Sequence, residues 1–293
     1  MRYKIRHLTR YRYSETVTNS QHDLHLVPRA LPHQRCLFSE LEIRPAPSVC
    51  QERVDYFGNR AAHMVLASAH AELAVIAHSR VEVTAPDAIA PDQDVAWEAA
   101  VSQIAHDLDR LTVLEMTFPS PYIALWEDLR AYARSSFPDG QPVLKGCIDL
   151  MARVHGDFAY DAKATTVATP LDEVFHKRRG VCQDFAHLMI ACLRSLGLAA
   201  RYVSGYLATT PPPGKARLVG ADASHAWLSV FLPRFGFMDI DPTNNVLVGD
   251  QHITLAIGRD FGDVTPLRGV VLGGGRHDLE VAVDVLPDPV THC

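Results

Sequence analysis

The first part of the chain alternates apolar and polar residues, a pattern typical of β-strands. Tyr3-Lys4-Ile5-Arg6-His7-Leu8 alternates in this way, as do the shorter runs at 23–26, 41–43 and 80–84. Prolines and the turn-forming segment 55–59 separate these runs. Residues 1 to about 85 are therefore predicted to form an antiparallel β-sandwich or sheet.

Helical spacing of apolar residues replaces this alternation after Ala85-Pro86-Asp87. It predicts helices over 95–111, 122–137 and 143–154, and a short helix that starts near Pro170. The domain boundary is placed near residue 90. The predicted fold class is α+β, with an N-terminal antiparallel β-sandwich-like domain followed by a mixed domain of helices and an antiparallel sheet.

The segment around Cys182 carries the strongest chemical signal. Gly180 is interpreted as freeing the backbone for a tight turn, and apolar residues then recur at helical spacing up to Gly197. Cys182 is thus predicted in the first turn of a buried helix, where free N–H groups and the helix dipole stabilise a thiolate. A structural role is commoner for a lone cysteine, and Cys192, within the apolar stripe of the same helix, is assigned that role.

Two later segments supply partners for a cysteine nucleophile. His225 leads into a predicted strand that runs to Phe231, and Asp241 ends another predicted strand just before a proline. A nucleophile on a helix followed by a base and an acid on strands is the arrangement that an oriented cysteine–histidine pair requires. Asp239 points to the same side of its strand as Asp241, so the spacing leaves both acids open.

The segments GVCQDFAH, ARYVSGY, DASHAW and DIDPTNN resemble the core of the bacterial transglutaminase-like family, which is part of a papain-like superfamily. RYRYSETV, LHLVPR and DYFGN resemble the β-rich N-terminal domain often joined to that core. The resemblance implies an N-terminal β domain over residues 1–90 and a papain-like catalytic core over 91–293. It also implies that Cys182 is the nucleophile, His225 the general base and Asp241, rather than Asp239, the orienting acid.

Stabilisation of the oxyanion needs hydrogen-bond donors near the nucleophile. The backbone N–H of Cys182 is one candidate because it lies at a helix N-terminus. Members of the resembled family add an aromatic or amide donor from upstream, and Tyr160 is the candidate here, with a packed strand aromatic as its alternative role. His187 lies roughly 140° around the helix from Cys182, so it is predicted to be a hydrogen-bonded packing residue.

Composition and charge narrow the possible partners. Apolar residues make up 47% and charged residues 21% of the chain, and the net charge of −6 gives no footprint for nucleic acid or an anionic membrane. Without an apolar run of about 18 residues or a signal-peptide pattern, we expect a cytoplasmic protein. Cysteines and histidines form no metal-ligand motif, so we expect no metal and no cofactor. No pattern in the sequence indicates an oligomeric state.

The predicted function is a cysteine enzyme that attacks an amide carbonyl and forms a thioester at Cys182. With water as acceptor it is a peptidase or amidase acting on a peptide or protein, which the resemblance favours; with an amine it is a protein-glutamine transamidase. A non-catalytic peptide-binding module is a weaker hypothesis, because all three triad residues are present. The segment 209–222 is predicted to be a loop, either bordering the cleft or elsewhere on the surface.

Overall fold

The computed structural model of the chain describes residues 1–107, 110–209 and 224–289. Over these ranges the protein forms a seven-stranded sheet, a five-stranded sheet and a set of helices. The predicted α+β class, with the antiparallel β region first, is confirmed. Within the same ranges, no helix combines the length and apolar character needed to cross a membrane.

The first sheet combines strands from both ends of the chain. Its strands are β1 (Arg2–Leu24), β2 (Gln34–Arg44), β3 (Val49–Val54), β4 (Arg60–Leu66), β5 (His70–Val83), β13 (Leu267–Gly273) and β14 (His277–Pro287). The order is β2-β5-β1-β4-β3, and β13 and β14 also pair with β1. The alternating run at 3–8 is therefore the beginning of one long strand of 23 residues.

Strand β1 organises this sheet because four strands pair along its length. Its first half pairs with β5 on one side and β14 on the other, and its second half pairs with β4 and β13. The last two strands fall within the predicted catalytic core, yet they complete the first sheet. The boundary near residue 90 stays a prediction.

The helices lie between β5 and β13 in sequence. They are α1 (Trp97–His106), α2 (Leu111–Leu114), α3 (Glu127–Arg134), α4 (Val143–Asp157), α5 (Leu171–Lys177), α6 (Cys182–Ser195) and α7 (Phe261–Val264). The helix predicted over 122–137 begins only at Glu127, because Ser120 and Ile123 pair with each other in an isolated bridge just before it. Helix α6 is buried along most of its length.

The second sheet carries the two strands on which the predicted base and acid lie. It consists of β8 (Ala200–Leu207), β9 (Ser224–Leu232), β10 (Gly236–Asp241), β11 (Val246–Leu247) and β12 (His252–Gly258) in the order β11-β10-β9-β8-β12. Two short parallel strands, β6 (Ala159–Tyr160) and β7 (Arg179–Gly180), pair just before α6.

The first sheet and the helical region share one hydrophobic core. Tyr3 and Ile5 of β1 and Val283 of β14 are buried in the same cluster as the apolar residues of α6 and β8. A hydrogen bond of 2.8 Å between Nδ1 of His7 and the Tyr206 hydroxyl joins β1 to β8 beside this core. The N-terminal sheet is therefore packed directly against the elements that hold the predicted site.

Candidate active site

Cys182 is the first residue of α6, as predicted, and its side chain is partly buried. Strand β7 leads directly into it, and the pairing of Tyr160 with Gly180 fixes the position of β7. Asp184, in the first turn of the helix, accepts the N–H of Val181 at 2.8 Å and caps the helix. The thiol thus lies at the positive end of a buried and firmly capped helix.

Gly180 is needed for space and not for a turn. It lies in the short strand β7 and its φ is outside the left-handed region, so the interpretation as a tight-turn glycine is wrong. A Cβ at this position would lie 2.6 Å from Oδ2 of Asp184. The absence of a side chain at 180 lets the Asp184 carboxylate reach back to the residue before the cysteine.

His225 and Asp241 meet because they lie on neighbouring antiparallel strands. His225 is near the start of β9 and Asp241 is the last residue of β10. Nε2 of His225 lies 2.8 Å from Oδ2 of Asp241, and the ring is also hydrogen-bonded to Cys182. Since Asp241 occupies Nε2, Nδ1 is the ring nitrogen left to face the thiol. The structure thus joins the three predicted side chains in one hydrogen-bonded chain.

The electrostatics of this chain favour a charged imidazole. Burial by itself lowers the pKa of His225, but hydrogen bonds to Asp241 and Cys182 and the negative charges of both outweigh it and raise the pKa to about 10. Burial would raise the pKa of Asp241, yet hydrogen bonds from His225 and His252 hold it well below its usual value. This arrangement is suited to a thiolate–imidazolium pair backed by a carboxylate.

Comparison with known proteins identifies the family of this chain. Residues 131–242 match the model of the transglutaminase-like superfamily, and residues 3–82 match the bacterial transglutaminase-like N-terminal region. An uncharacterized protein of Mycobacterium tuberculosis is 40% identical over 98% of this chain and 93% of its own length. The chain belongs to the transglutaminase-like superfamily. Membership supports the general conclusion that the protein is a cysteine-based enzyme, whichever acceptor it uses.

Two further proteins that are similar to this chain, one in sequence and one in fold, carry functional descriptions. A protein-glutamine gamma-glutamyltransferase of Pseudomonas aeruginosa is 37% identical over 95 residues, which cover 31% of this chain and 14% of that protein. A candidate cysteine protease from Cytophaga hutchinsonii, known from its crystal structure, superposes with a TM-score of 0.75 over 99% of this chain and 92% of that one. At 20% identity, that superposition shows that the fold is shared.

The rival acid, Asp239, has a different set of partners. It accepts the indole N–H of Trp227 at 3.0 Å and the hydroxyl of Ser229, which lies directly opposite on β9. The two acids share a face of β10, as predicted, but the structure places Asp241 and not Asp239 against His225. Asp239 instead fixes the tryptophan whose ring lies 6.0 Å from that of His225.

Three further partners converge on the Asp241 carboxylate. Oδ2 also accepts hydrogen bonds from the Asn244 amide at 2.7 Å and from Nε2 of His252 at 3.2 Å, and Oδ1 accepts the backbone N–H of Thr243 at 3.0 Å. The sequence reasoning missed His252 and Asn244. Asn244 lies inside the DIDPTNN motif, which was a usable signal, whereas His252 lies on β12, a strand the sequence did not predict.

His225, Asp241 and His252 are also the described residues that could hold a metal ion, since one ligand atom of each lies within 4.8 Å of the others. The same atoms already form hydrogen bonds, with both Nε2 atoms directed at one carboxylate oxygen. A metal bound there would replace these hydrogen bonds and would occupy the nitrogen that faces Asp241. The hydrogen bonds to Asp241 therefore account for the close approach of these three side chains.

Tyr160, the predicted side-chain oxyanion donor, lies on β6, the short strand that pairs with β7 just before Cys182. Tyr160 pairs with Gly180 of β7, and Gly180 lies two positions before Cys182. Tyr160 is 58% exposed. Partial burial and then the negative charge of Cys182 raise the pKa of the phenol above its ordinary value. The phenol therefore keeps its proton and can donate a hydrogen bond, and its role as an oxyanion donor stays a prediction.

His187 is a packing residue, as predicted. It is buried, its Nε2 accepts the N–H of Phe261 at 3.1 Å, and its ring stacks on Tyr122. Burial and the nearby Arg194 lower its pKa to about 3, so it is neutral. The predicted loop at 209–222 lies outside the described residues from position 210 onward.

Cys182 and His225 open into a cleft of about 440 Å³. One side of it comes from the helix–sheet core, through residues such as Tyr202 and Phe261, and the other from β1 and β14. A larger groove of about 670 Å³ lies along the first turns of α3 and α5 and contains none of the three predicted catalytic residues. The smaller cleft is therefore the one that gives access to the thiol.

Proposed function

We propose that the protein is a cysteine peptidase or amidase, with Cys182 as nucleophile, His225 as general base and acid, and Asp241 as the orienting acid. The observation that carries this proposal is the hydrogen-bonded chain from the Cys182 thiol through His225 to Asp241, open to a cleft on the thiol side. The elevated pKa of His225 supports a proton held between thiol and ring.

The reaction begins with attack of the Cys182 sulfur on the substrate's amide carbonyl carbon. The carbonyl oxygen becomes an oxyanion, for which the Cys182 backbone N–H and the Tyr160 hydroxyl are the proposed donors. The His225 imidazolium gives its proton to the amide nitrogen, the C–N bond breaks, and an amine leaves. A thioester then links the acyl group to Cys182.

Water completes the cycle in the proposed peptidase. His225, now neutral, takes a proton from the attacking water, the C–S bond breaks, and the carboxylic acid product leaves with the Cys182 thiolate restored. Throughout, Asp241 fixes the ring orientation and stabilises its positive charge. His252 and Asn244 hold Asp241 in place through the hydrogen bonds described above.

Transamidation is the second candidate, in which an amine replaces water in that last step. The similarity of a 95-residue segment to the protein-glutamine gamma-glutamyltransferase of Pseudomonas aeruginosa favours it. Its first half is the same, so the two candidates share the thioester and differ in the acceptor. For both candidates we also propose a cytoplasmic location, which is the expectation from the sequence.

Selective alkylation tests whether Cys182 is activated. Iodoacetamide near pH 6 is expected to label Cys182 faster than Cys50, which is exposed and serves as an internal reference. His225→Ala should abolish the difference and leave the labelling of Cys50 unchanged. Equal and slow labelling of both cysteines in the wild-type protein would contradict the enzyme proposal.

A second experiment identifies the acceptor. The protein is incubated with a peptide library in H₂¹⁸O, with and without a dansylated primary amine, and products are read by mass spectrometry. A peptidase gives ¹⁸O-labelled acids under both conditions, whereas a transamidase gives dansylated products at the expense of acids. Cys182→Ser should give neither, and its retention of product formation would exclude the proposed nucleophile.

A further inference from the structure

One face of β1 continues from the hydrophobic core into the cleft. Tyr3 and Ile5 on this face are buried in the core, and the next side chains on the same face, His7, Thr9 and Tyr11, line the cleft. The first sheet therefore packs against the hydrophobic core and also lines the space around Cys182 directly.

Strand β14 extends the same surface. Its register places Val281 opposite Thr9 and Leu279 opposite Tyr11, and directly opposed residues of antiparallel strands share a face. Val283, one step toward the core, is fully buried, whereas Val281 is 48% and Leu279 is 54% exposed. Both exposed side chains line the cleft. The apolar row of β14 thus leaves the core and enters the space that Cys182 faces.

Charged side chains are kept off this surface. Among the described residues that line the cleft, none is an aspartate, glutamate, lysine or arginine. Arg10 and Arg12 of β1 lie on the other face of the strand, where they pair with Glu72 and Glu280. The alternation along β1 therefore separates a charged outer face from an uncharged cleft face.

The one histidine on the β1 side of the cleft is uncharged as well. The His7 ring is hydrogen-bonded to the Tyr206 hydroxyl at 2.8 Å and to the Thr9 hydroxyl at 3.2 Å. Burial lowers its pKa to about 4, so it is neutral near pH 7. A charged substrate side chain placed on this wall would lose part of its hydration without gaining a partner of opposite charge among the described residues of the wall.

We infer that Val281, Leu279 and Tyr11 form an apolar specificity subsite for the acyl donor, so that the favoured substrates are peptides with an uncharged apolar side chain beside the scissile amide. This inference rests on the proposed function and names the substrate class of the same site. The occupant is a peptide because the surface is continuous, within one cleft, with the thiol that would form the thioester.

The first measurement is of binding and needs no catalysis. Cys182→Ser protein is titrated with three capped peptide amides that differ only in the residue on the acyl side of the amide, which is Leu, Glu or Lys. The Leu peptide is expected to bind at least about tenfold more tightly than either charged peptide. Equal dissociation constants for the three peptides would overturn the subsite.

Charge substitutions within the wall give a directional test. In the Cys182→Ser background, Val281→Lys should weaken binding of the Leu peptide and make the Glu peptide bind more tightly than the Lys peptide. Val281→Glu should instead make the Lys peptide bind more tightly than the Glu peptide. Val49→Lys is the matched control, because Val49 is also 48% exposed but lies on β3 at the far edge of the sheet. Identical effects of Val49→Lys and Val281→Lys would overturn the assignment.

Turnover by the protein with Cys182 intact separates this inference from the proposed function. Cleavage of the Leu, Glu and Lys peptides with equal kcat/KM would overturn the subsite and leave the function standing. If no peptide is cleaved but the Leu peptide still binds most tightly, the proposed function is overturned and the subsite stands. If Val281→Lys instead dissociates a wild-type dimer in sedimentation without changing peptide binding, the surface is an interface between copies and the subsite is overturned.

Discussion

Asp184 lies so close to Gly180 that a Cβ at position 180 would be 2.8 Å from the Asp184 Cβ and 2.6 Å from its carboxylate oxygen. Gly180→Ala therefore forces the cap of α6 to move. We expect a loss of about 1–3 kcal/mol in the free energy of unfolding, measured by urea denaturation, together with reduced turnover.

Gly156→Ala is the control for that substitution. Gly156 lies within α4, and a Cβ there would meet no atom within 4 Å. Alanine is the better helix former by about 1 kcal/mol, so this variant should be as stable as the wild type or more stable. A Gly180→Ala protein with the stability and turnover of the wild type would show that the cap tolerates a side chain.

Asp241 and Asp239 should respond differently to conversion to asparagine. Asp241→Asn removes the charge that stabilises the His225 imidazolium, so we expect kcat to fall by about 10²–10⁴. Asp239→Asn weakens the hold on Trp227 and Ser229 and should lower the melting temperature, with a change in kcat of about tenfold or less. The opposite ranking of the two kcat values would make Asp239 the orienting acid.

The hydroxyl of Tyr160 should matter to turnover but not to folding. If it donates to the oxyanion, Tyr160→Phe removes one donor, and a loss of about 10²-fold in kcat with little change in KM is expected. The side chain is 58% exposed, so the melting temperature should stay within about 1 °C of the wild type. Phe235→Ala, which truncates another exposed aromatic, is the control. Unchanged kcat in Tyr160→Phe would assign Tyr160 to packing.

His252 should act through Asp241. Its Nε2 donates to the carboxylate at 3.2 Å and contributes to holding the pKa of Asp241 low. His252→Phe removes this donor, so the pKa of Asp241 rises and the acid limb of the pH–kcat profile should move to higher pH. His106→Phe, at the exposed end of α1, should leave the profile unchanged. A uniform loss of activity without a shift would indicate a purely structural role.

Burial of His7 predicts a stability that depends on pH. Its pKa is lowered from 6.5 to about 4. Between these pH values, His7 is therefore protonated in the unfolded chain but neutral in the folded protein. The contribution to stability is therefore full above pH 6.5 and is lost as the pH falls toward 4, by about 3 kcal/mol in total. In His7→Gln, the midpoint of urea denaturation should change less with pH across this range. The same slope in the variant would exclude His7 as its source.

The parts of the site that could be predicted from sequence are those with local signals. The helix that begins at Cys182 follows from an apolar stripe ending in Gly197, and the strands that carry His225 and Asp241 follow from alternation and a proline stop. The choice of Asp241 over Asp239 needed either the family resemblance or the structure, because two residues on one face of a strand look alike in sequence.

The parts that were missed depend on contacts between distant segments. His252 reaches Asp241 from a strand on the far side of β8, and no spacing in the sequence signals that approach. Val281 and Leu279 lie in an alternating run, but their exposure toward the cleft follows from a pairing with β1 that local sequence cannot specify. The wall of the cleft was therefore less predictable than its chemistry.

The pairing of β1 with β14 has a consequence for how the protein is made. Arg10 contacts Glu280, a residue 270 positions later in the chain, so this part of β1 lacks its β14 partner until those 270 residues have been synthesised. A strand edge left open for that long is a site for pairing with other nascent chains. Synthesis of β14 closes that edge and, in the same step, supplies one wall of the cleft that contains Cys182.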